Sequence, residues 1–311
     1  MIHTQKIREL QLAHGTSESR APFISAASGL VQVNDLLYVV ADDEHHLGVF
    51  SAGHVGTGDV GPGELVRLFE GTLPDKLKKR KTQKPDLETL LLFQTFAGYP
   101  YGALLAMGSG SKPNRDTGVL LGLDALGNIN SAPRLIDLSL LYDALRAEVD
   151  GLNIEGAVIA GGQFVLLQRG NKGSVNALIA CELDSFIDDL AANNAPRLRA
   201  PPVVRAIPLG DIDGVPLCFT DAAALPDGNI LFTAVAENTN NSFDDGACGG
   251  SAIGIVDAHG NLKSIERLDQ PCKVEGIAAT TQADGIHLLL VTDADDASRA
   301  AWLLSAMLLP G

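Results

Sequence analysis

Asn153-Ile154-Glu155-Gly156-Ala157-Val158-Ile159-Ala160-Gly161-Gly162-Gln163-Phe164-Val165-Leu166-Leu167-Gln168 reads as two apolar runs folded back on a Gly-Gly step. Such a step between apolar runs is a hairpin signal, because tight hairpin turns need positive φ. The first run opens on an acidic residue, then a small one, before turning apolar. The same opening, a short polar or acidic residue followed mostly by a small one, recurs at Ala27-Ser28-Gly29-Leu30, Leu87-Glu88-Thr89-Leu90, Thr220-Asp221-Ala222-Ala223 and Val274-Glu275-Gly276-Ile277. The steps from Ser28 through Glu88, Glu155 and Asp221 to Glu275 are 60, 67, 66 and 54 residues. One fifth of the 311-residue chain is about 62 residues, so a five-unit repeat accounts for the whole length.

Each opening is followed by a second apolar run, at 37–40, 103–106, 164–167, 230–233 and 287–290. Third runs follow at 47–50, 118–121, 176–179, 253–256 and 301–304, and fourth runs at 64–68, 134–138, 203–207 and 262–266. The third and fourth runs alternate more with polar residues, as outer strands of a sheet do. The fifth unit lacks a fourth run, and the alternating segment 6–12 (KIRELQL) fits as its missing edge. The expected fold is all-β: one five-bladed β-propeller over residues 1–311, with four-stranded antiparallel blades and the last closed by the N-terminal strand. A six-bladed ring with one blade unread, or a pair of β-sandwiches, is the alternative. Short helices are expected at 138–149 and 184–193, and the basic segment 74–85 (PDKLKKRKTQKP) as an exposed loop between blades.

The formal charge of −15 excludes a phosphate-neutralising nucleic-acid surface and disfavours anionic membranes. No run reaches the about 18 apolar residues of a membrane span. The opening MIHTQKIRELQLAHGTSE has no apolar leader, so a cytoplasmic chain is expected, or a periplasmic one with its leader removed. Cys181, Cys218, Cys248 and Cys272 form no CxxC pair and read as thiols; in an exported chain Cys248 and Cys272 could pair.

In a propeller the first strand of each blade lines the axis, and the loop after the second strand returns to the same face. Ser28, Glu88, Glu155, Asp221 and Glu275 should therefore meet the loops holding Asp42 to His46, Lys112 and Arg115, Arg169 and Lys172, Glu237 to Asn241, and Asp293 to Asp296. Four carboxylates around a narrow channel raise one another's pKa or need a cation. An all-oxygen set suits a hard ion such as Ca²⁺, held by Glu88, Glu155, Asp221 and Glu275 with Ser28 or water. Alternatively, the acids bond backbone N–H groups of the next blade or are solvated. Arg115, Arg169 and Lys112 would bind an anionic substrate group or neutralise those acids. His45 is a candidate base or ligand, or part of an exposed strand-end pair with His46. No GxSxG elbow or Walker spacing is present.

The openings Asn153-Ile154-Glu155-Gly156 and Lys273-Val274-Glu275-Gly276-Ile277, with Ser28-Gly29-Leu30 and Tyr38-Val39-Val40-Ala41-Asp42-Asp43, resemble the bacterial phytase-like (esterase-like) propeller family. They are also similar to the wider group of calcium-dependent propeller hydrolases, including gluconolactonase-type lactonases and calcium-activated nucleotidases. The resemblance implies an axial Ca²⁺ held by Glu155 and Glu275, with Glu88 and Asp221 as further ligands. The function expected is hydrolysis of a small phosphoester, ester or lactone at the axial mouth. One of Glu155, Glu275 or Asp221 would act as base, and Arg115 and Arg169 would stabilise developing negative charge. The other expectations are a propeller that binds a small polar or anionic ligand without catalysis, its cation structural, and a scaffold that docks a protein partner.

Overall fold

The protein is described by a computed structural model that covers residues 1–13, 21–53, 61–170, 174–238, 247–257 and 259–309. Strand β1 (Thr4–Glu9) precedes the first blade, β2 (Ala27–Val33), β3 (Leu36–Ala41), β4 (His46–Ser51) and β5 (Glu64–Arg67). Helix α1 (Leu77–Gln83) leads into the second, β6 (Leu87–Phe93), β7 (Ala103–Gly108), β8 (Thr117–Gly122) and β9 (Arg134–Asp137). Helix α2 (Ser139–Arg146) joins it to β10 (Ile154–Ala160), β11 (Gln163–Gln168) and β12 (Ala177–Glu182), and helix α3 (Leu183–Ala192) precedes the edge strand β13 (Val203–Ala206). The fourth blade is β14 (Asp211–Ile212), β15 (Val215–Ala224), β16 (Ile230–Asn238), β17 (Ala247–Val256) and β18 (Leu262–Arg267). The two-residue β14 only hairpins onto the start of β15. The fifth blade is β19 (Lys273–Gln282), β20 (Gly285–Asp293) and β21 (Trp302–Leu308), completed by β1.

Strand order follows the chain in the first four blades, β1 joins the outer edge of the fifth, and the named strands all pair antiparallel. The quoted Gly161-Gly162 step takes φ of 57° and 74°, the double positive turn that the hairpin requires. β1 pairs with β21 in the register Thr4 to Ala306 and Gln5 to Ser305, so backbone hydrogen bonds close the ring. Inner strands pack in sequence around the axis, β2 on β6, β6 on β10, β10 on β15, β15 on β19, and β19 back on β2. The five-bladed propeller expected from the repeat is the observed fold.

The core is divided into five apolar clusters, each between consecutive blades. Tyr38, Leu90 and Leu104 lie between the first two, and Phe93, Ile154 and Phe164 between the second and third. Val158 with Phe219 fills the next seam, and Leu231 with Ile277 the one after it. Leu30 with Val291 fills the closing one. Both faces of the inner strands are therefore covered, which is why they read as unbroken apolar runs. The edge strand β13 is exposed along its whole length.

Helix α2 falls inside its expected segment and α3 matches its own to within one residue at each end, and α2 buries Leu141, Tyr142 and Leu145 on one face. The basic segment corrects the expectation of an exposed loop. Residues 77–83 are helical, and Arg80 and Lys84 at its end are buried, because acids of the first blade and Asp86 neutralise them. Among the described residues no helix is long and apolar enough to cross a membrane, and all four cysteines are free thiols.

Candidate functional site

Every inner strand carries a register shift, near its start in four of them and midway along β15. The residue left without a partner is Ser28, Glu88, Glu155, Thr220 or Glu275. A bulge turns one side chain out of the pleat and aims it at the end of the sheet. The fourth repeat is thereby corrected by one residue: Thr220, and not Asp221, holds the position of the acids. Asp221 falls on the next position, where the other blades have Gly29, Thr89, Gly156 and Gly276. Glycine there allows close approach of neighbouring inner strands. A Cβ on Gly156 would stand 3.0 Å from Asp221 Cα, and one on Gly276 would stand 3.0 Å from Leu30 N.

Asp221 is 1% exposed and reaches the next blade, where the Ile277 N–H donates to its Oδ2 at 2.9 Å. Burial raises its pKa well above the carboxylate range, against the lowering effect of the Ile277, Ala222 and Leu30 amides. This is the backbone-bonded alternative that the sequence left open. Thr220 donates to the Val274 carbonyl at 2.8 Å, tying the same two blades.

The other bulge acids meet the loops after the second strands. Arg169, 8% exposed, donates to Glu155 Oε2 at 3.1 Å and to Glu237 Oε2 at 2.7 Å, and lies 4.0 Å from Glu275. Lys273 Nζ stands 3.0 Å from Asp293, 2.9 Å from Asp295, 3.3 Å from Glu275 and 3.7 Å from Glu237. Asn153 donates to Glu155. Burial alone would lower the Lys273 ammonium, but Glu275, Asp293, Glu237 and Asp295 raise it well above its ordinary value.

A second group forms around Asp86. Its carboxylate accepts the Ser109 hydroxyl at 2.5 Å and pairs with Arg115 at 2.6 Å and Lys84 at 2.9 Å. Lys84 also binds Asp42. One oxygen from each of Asp42, Asp86 and Glu88 lies within 4.8 Å of the other two. Glu88 is partly exposed and accepts no hydrogen bond among the described residues. Burial, then Glu155, Asp86 and Asp42, hold its pKa well above the usual range.

Lys84, Arg115, Arg169 and Lys273 face twice as many carboxylates: Asp42, Asp86, Glu88, Glu155, Glu237, Glu275, Asp293 and Asp295. The surplus negative charge is stored as raised pKa values. Burial raises Asp42, Glu155 and Asp293, and takes Glu275 to about 8. Arg115 and Arg169 both enter this mouth, as counter-ions of its acids.

Other expected residues go elsewhere. The Ser28 hydroxyl donates to the Ala26 carbonyl at 3.3 Å and accepts the Asp42 N–H at 3.1 Å. His45 packs on Phe69 with ring centroids 5.5 Å apart, and burial lowers its pKa. The Lys112 carbonyl accepts the Arg115 N–H at 2.8 Å. Lys172 and residues 239–241 lie outside the described residues. The sequence patterns give Lys84, Asp86 and Lys273 no place in the site. Asp86, Asn153 and Lys273 each stand two residues before a bulge acid, and that period-two spacing was the available signal.

No curated protein matches the sequence. Among solved structures, the α-L-arabinofuranosidase of Podospora anserina, crystallised with cellotriose, is 11% identical with a TM-score of 0.54. That match covers 99% of this chain and 97% of that one. A hypothetical protein from Leishmania major is 10% identical with a TM-score of 0.47, covering 98% and 91%. A putative gluconolactonase is 10% identical with a TM-score of 0.42, covering 100% and 93%. Likeness at this identity speaks for the fold alone, and only the first is close enough to carry that. The family that matches is not the phytase-like one: residues 23–308 fit the model of the family of unknown function DUF6929, and the chain belongs to it.

Proposed function

We propose that the acidic mouth binds a divalent cation, Ca²⁺ by the hardness of its ligands, and hydrolyses a small phosphoester, ester or lactone there. The observation that carries this reading is Glu88, a partly exposed carboxylate that accepts no hydrogen bond among the described residues, beside Asp42 and Asp86. The donor set is all oxygen and in charge surplus, which fits a hard cation. Lys84 and Arg115 neutralise only part of it. Asp42, Asp86 and Glu88 would hold the ion, in place of the wider ring of Glu155, Asp221, Glu275 and Ser28.

A bound divalent cation supplies Lewis acidity, polarising an ester or phosphoryl oxygen and lowering the pKa of a bound water. The chain's own contribution is proton handling. Glu275, with a pKa of about 8, both holds and releases a proton near neutrality, as a general acid or base must. Glu155 is raised in the same direction but is committed to Arg169 and Asn153. Asp221, bonded to backbone, fixes the strands around them.

A second reading is a non-catalytic propeller whose mouth binds a small polar or anionic ligand. It is favoured by Arg169 and Lys273, which direct their donors to the protein's own carboxylates and so act as structural counter-ions. Metal analysis of the purified protein and a calcium titration of its Tm decide the first point, and a panel of phosphoesters, esters and lactones decides the second. We expect a rise in Tm and calcium-dependent turnover that Glu275→Gln lowers while the fold survives. No shift with calcium or any other divalent ion removes the cation. A shift without turnover leaves the binding module.

A further inference from the structure

The basic segment has two faces with different fates. Arg80 is 3% exposed and donates to Asp43 Oδ2 and Glu44 Oε1, each at 3.0 Å. Lys84, four residues on, binds Asp42 and Asp86 at the mouth. The Lys81 and Thr82 carbonyls accept Arg115 and Asn114 from the loop after β7. These contacts clamp α1 to the rim of the mouth. Lys76, Lys78 and Lys79 are left exposed, and they make no ion pair among the described residues.

This concentration of cations stands out in a chain of charge −15. The attachment runs through Arg80, Lys84 and the Lys81 and Thr82 carbonyls and uses none of the three exposed lysines, so packing does not account for them. A mouth with surplus carboxylates repels an anionic ligand, and an exposed cationic rim offsets that repulsion where the ligand must enter. A neutral ester or lactone gains nothing from such a rim.

We propose that Lys76, Lys78 and Lys79 form a capture surface for an anionic phosphoester, which selects that class from the three substrate classes of the proposed function. The inference rests on the reading of the mouth as the reaction site. Lysines on one exposed turn act as point charges and need no fixed geometry, so capture is electrostatic and screened by salt.

The test uses phenylphosphonate, whose C–P bond an esterase cannot cleave, so that binding is read without turnover. Calorimetric titrations in calcium compare the full-length protein with the triple variant Lys76→Glu, Lys78→Glu, Lys79→Glu. At about 10 mM salt, where the Debye length is about 30 Å, we expect the variant to bind about tenfold more weakly or worse. At about 1 M salt, where it is about 3 Å, the two should agree. The Tm of the variant should match the parent, and Lys→Gln counterparts should fall between. Equal binding at low salt, a gap that persists at high salt, or no binding by the parent overturns the proposal. If the salt-sensitive gap appears but no phosphoester, ester or lactone is turned over, the capture surface stands and the hydrolytic reading falls. If calcium-dependent turnover appears with no gap, the hydrolytic reading stands and the capture surface falls.

Discussion

Arg169 and Glu237, 68 residues apart in sequence, stand 2.7 Å apart across the junction of the third and fourth blades. The same guanidinium holds Glu155 of its own blade and faces Glu275 of the fifth. One buried cation thus links three blades near the axis. Arg169→Met should cost about 3–5 kcal/mol, because it strips a buried counter-charge from Glu155, Glu237 and Glu275 together. Urea unfolding at neutral pH measures the loss, and acidification should shrink it as those carboxylates become protonated.

Stability should fall as pH rises. Glu275 takes a proton more readily in the folded chain than its ordinary value of 4.5, with a folded pKa of about 8. Between those values the native state binds more protons than the unfolded one, so its contribution is full below about 4.5 and is lost as pH passes about 8. Asp42, Glu88, Glu155 and Asp293 are shifted in the same direction. We therefore expect the Tm of chelator-treated protein to drop across this window. Calcium should flatten the slope, and a slope of opposite sign would refute the account.

Glu88→Gln separates charge from ligation. The amide removes a carboxylate from a crowded acidic group, so the variant should melt at or above the parent in chelator. It should also lose most of the calcium-induced rise. Differential scanning calorimetry with and without calcium reads both effects, and an unchanged calcium response would exclude Glu88 as a ligand.

Gly276→Ala tests the close approach of the inner strands. Its Cβ would stand 2.6 Å from Val291 Cγ2 and 3.0 Å from the Gly29 carbonyl carbon. Val291 can turn its side chain, but the Gly29 backbone belongs to the next blade and resists displacement. Overpacking of this kind costs about 1–3 kcal/mol, which denaturant titration would detect.

Removal of residues 1–9 should open the seam. β21 would lose the ladder from Thr4 to Glu9 and become an exposed edge. A lower Tm and concentration-dependent association are expected, with light scattering as the check.

The repeat itself was legible because each blade spends its length the same way, on apolar inner runs and alternating outer ones. That patterning determined the number of blades, the two helical inserts and the use of the N-terminal strand as the last edge. It also marked Glu88, Glu155 and Glu275 as residues sharing one structural position. Apolar periodicity does not show where a bulge falls, and a slip of one residue sends a side chain to the other face. Periodicity alone therefore aligns Asp221 with the mouth acids, whereas the fold places Thr220 there and turns Asp221 onto the amide of Ile277. The basic run at 74–85 read as solvated because nothing nearby in sequence neutralises all of it. Its partners Asp42, Asp43 and Glu44 lie a whole blade earlier in the chain, brought close only by the packing of the first two blades. Composition and period determined the ring. Which carboxylate faces which cation is a matter of distances across blade junctions, and those exist only once the ring has closed.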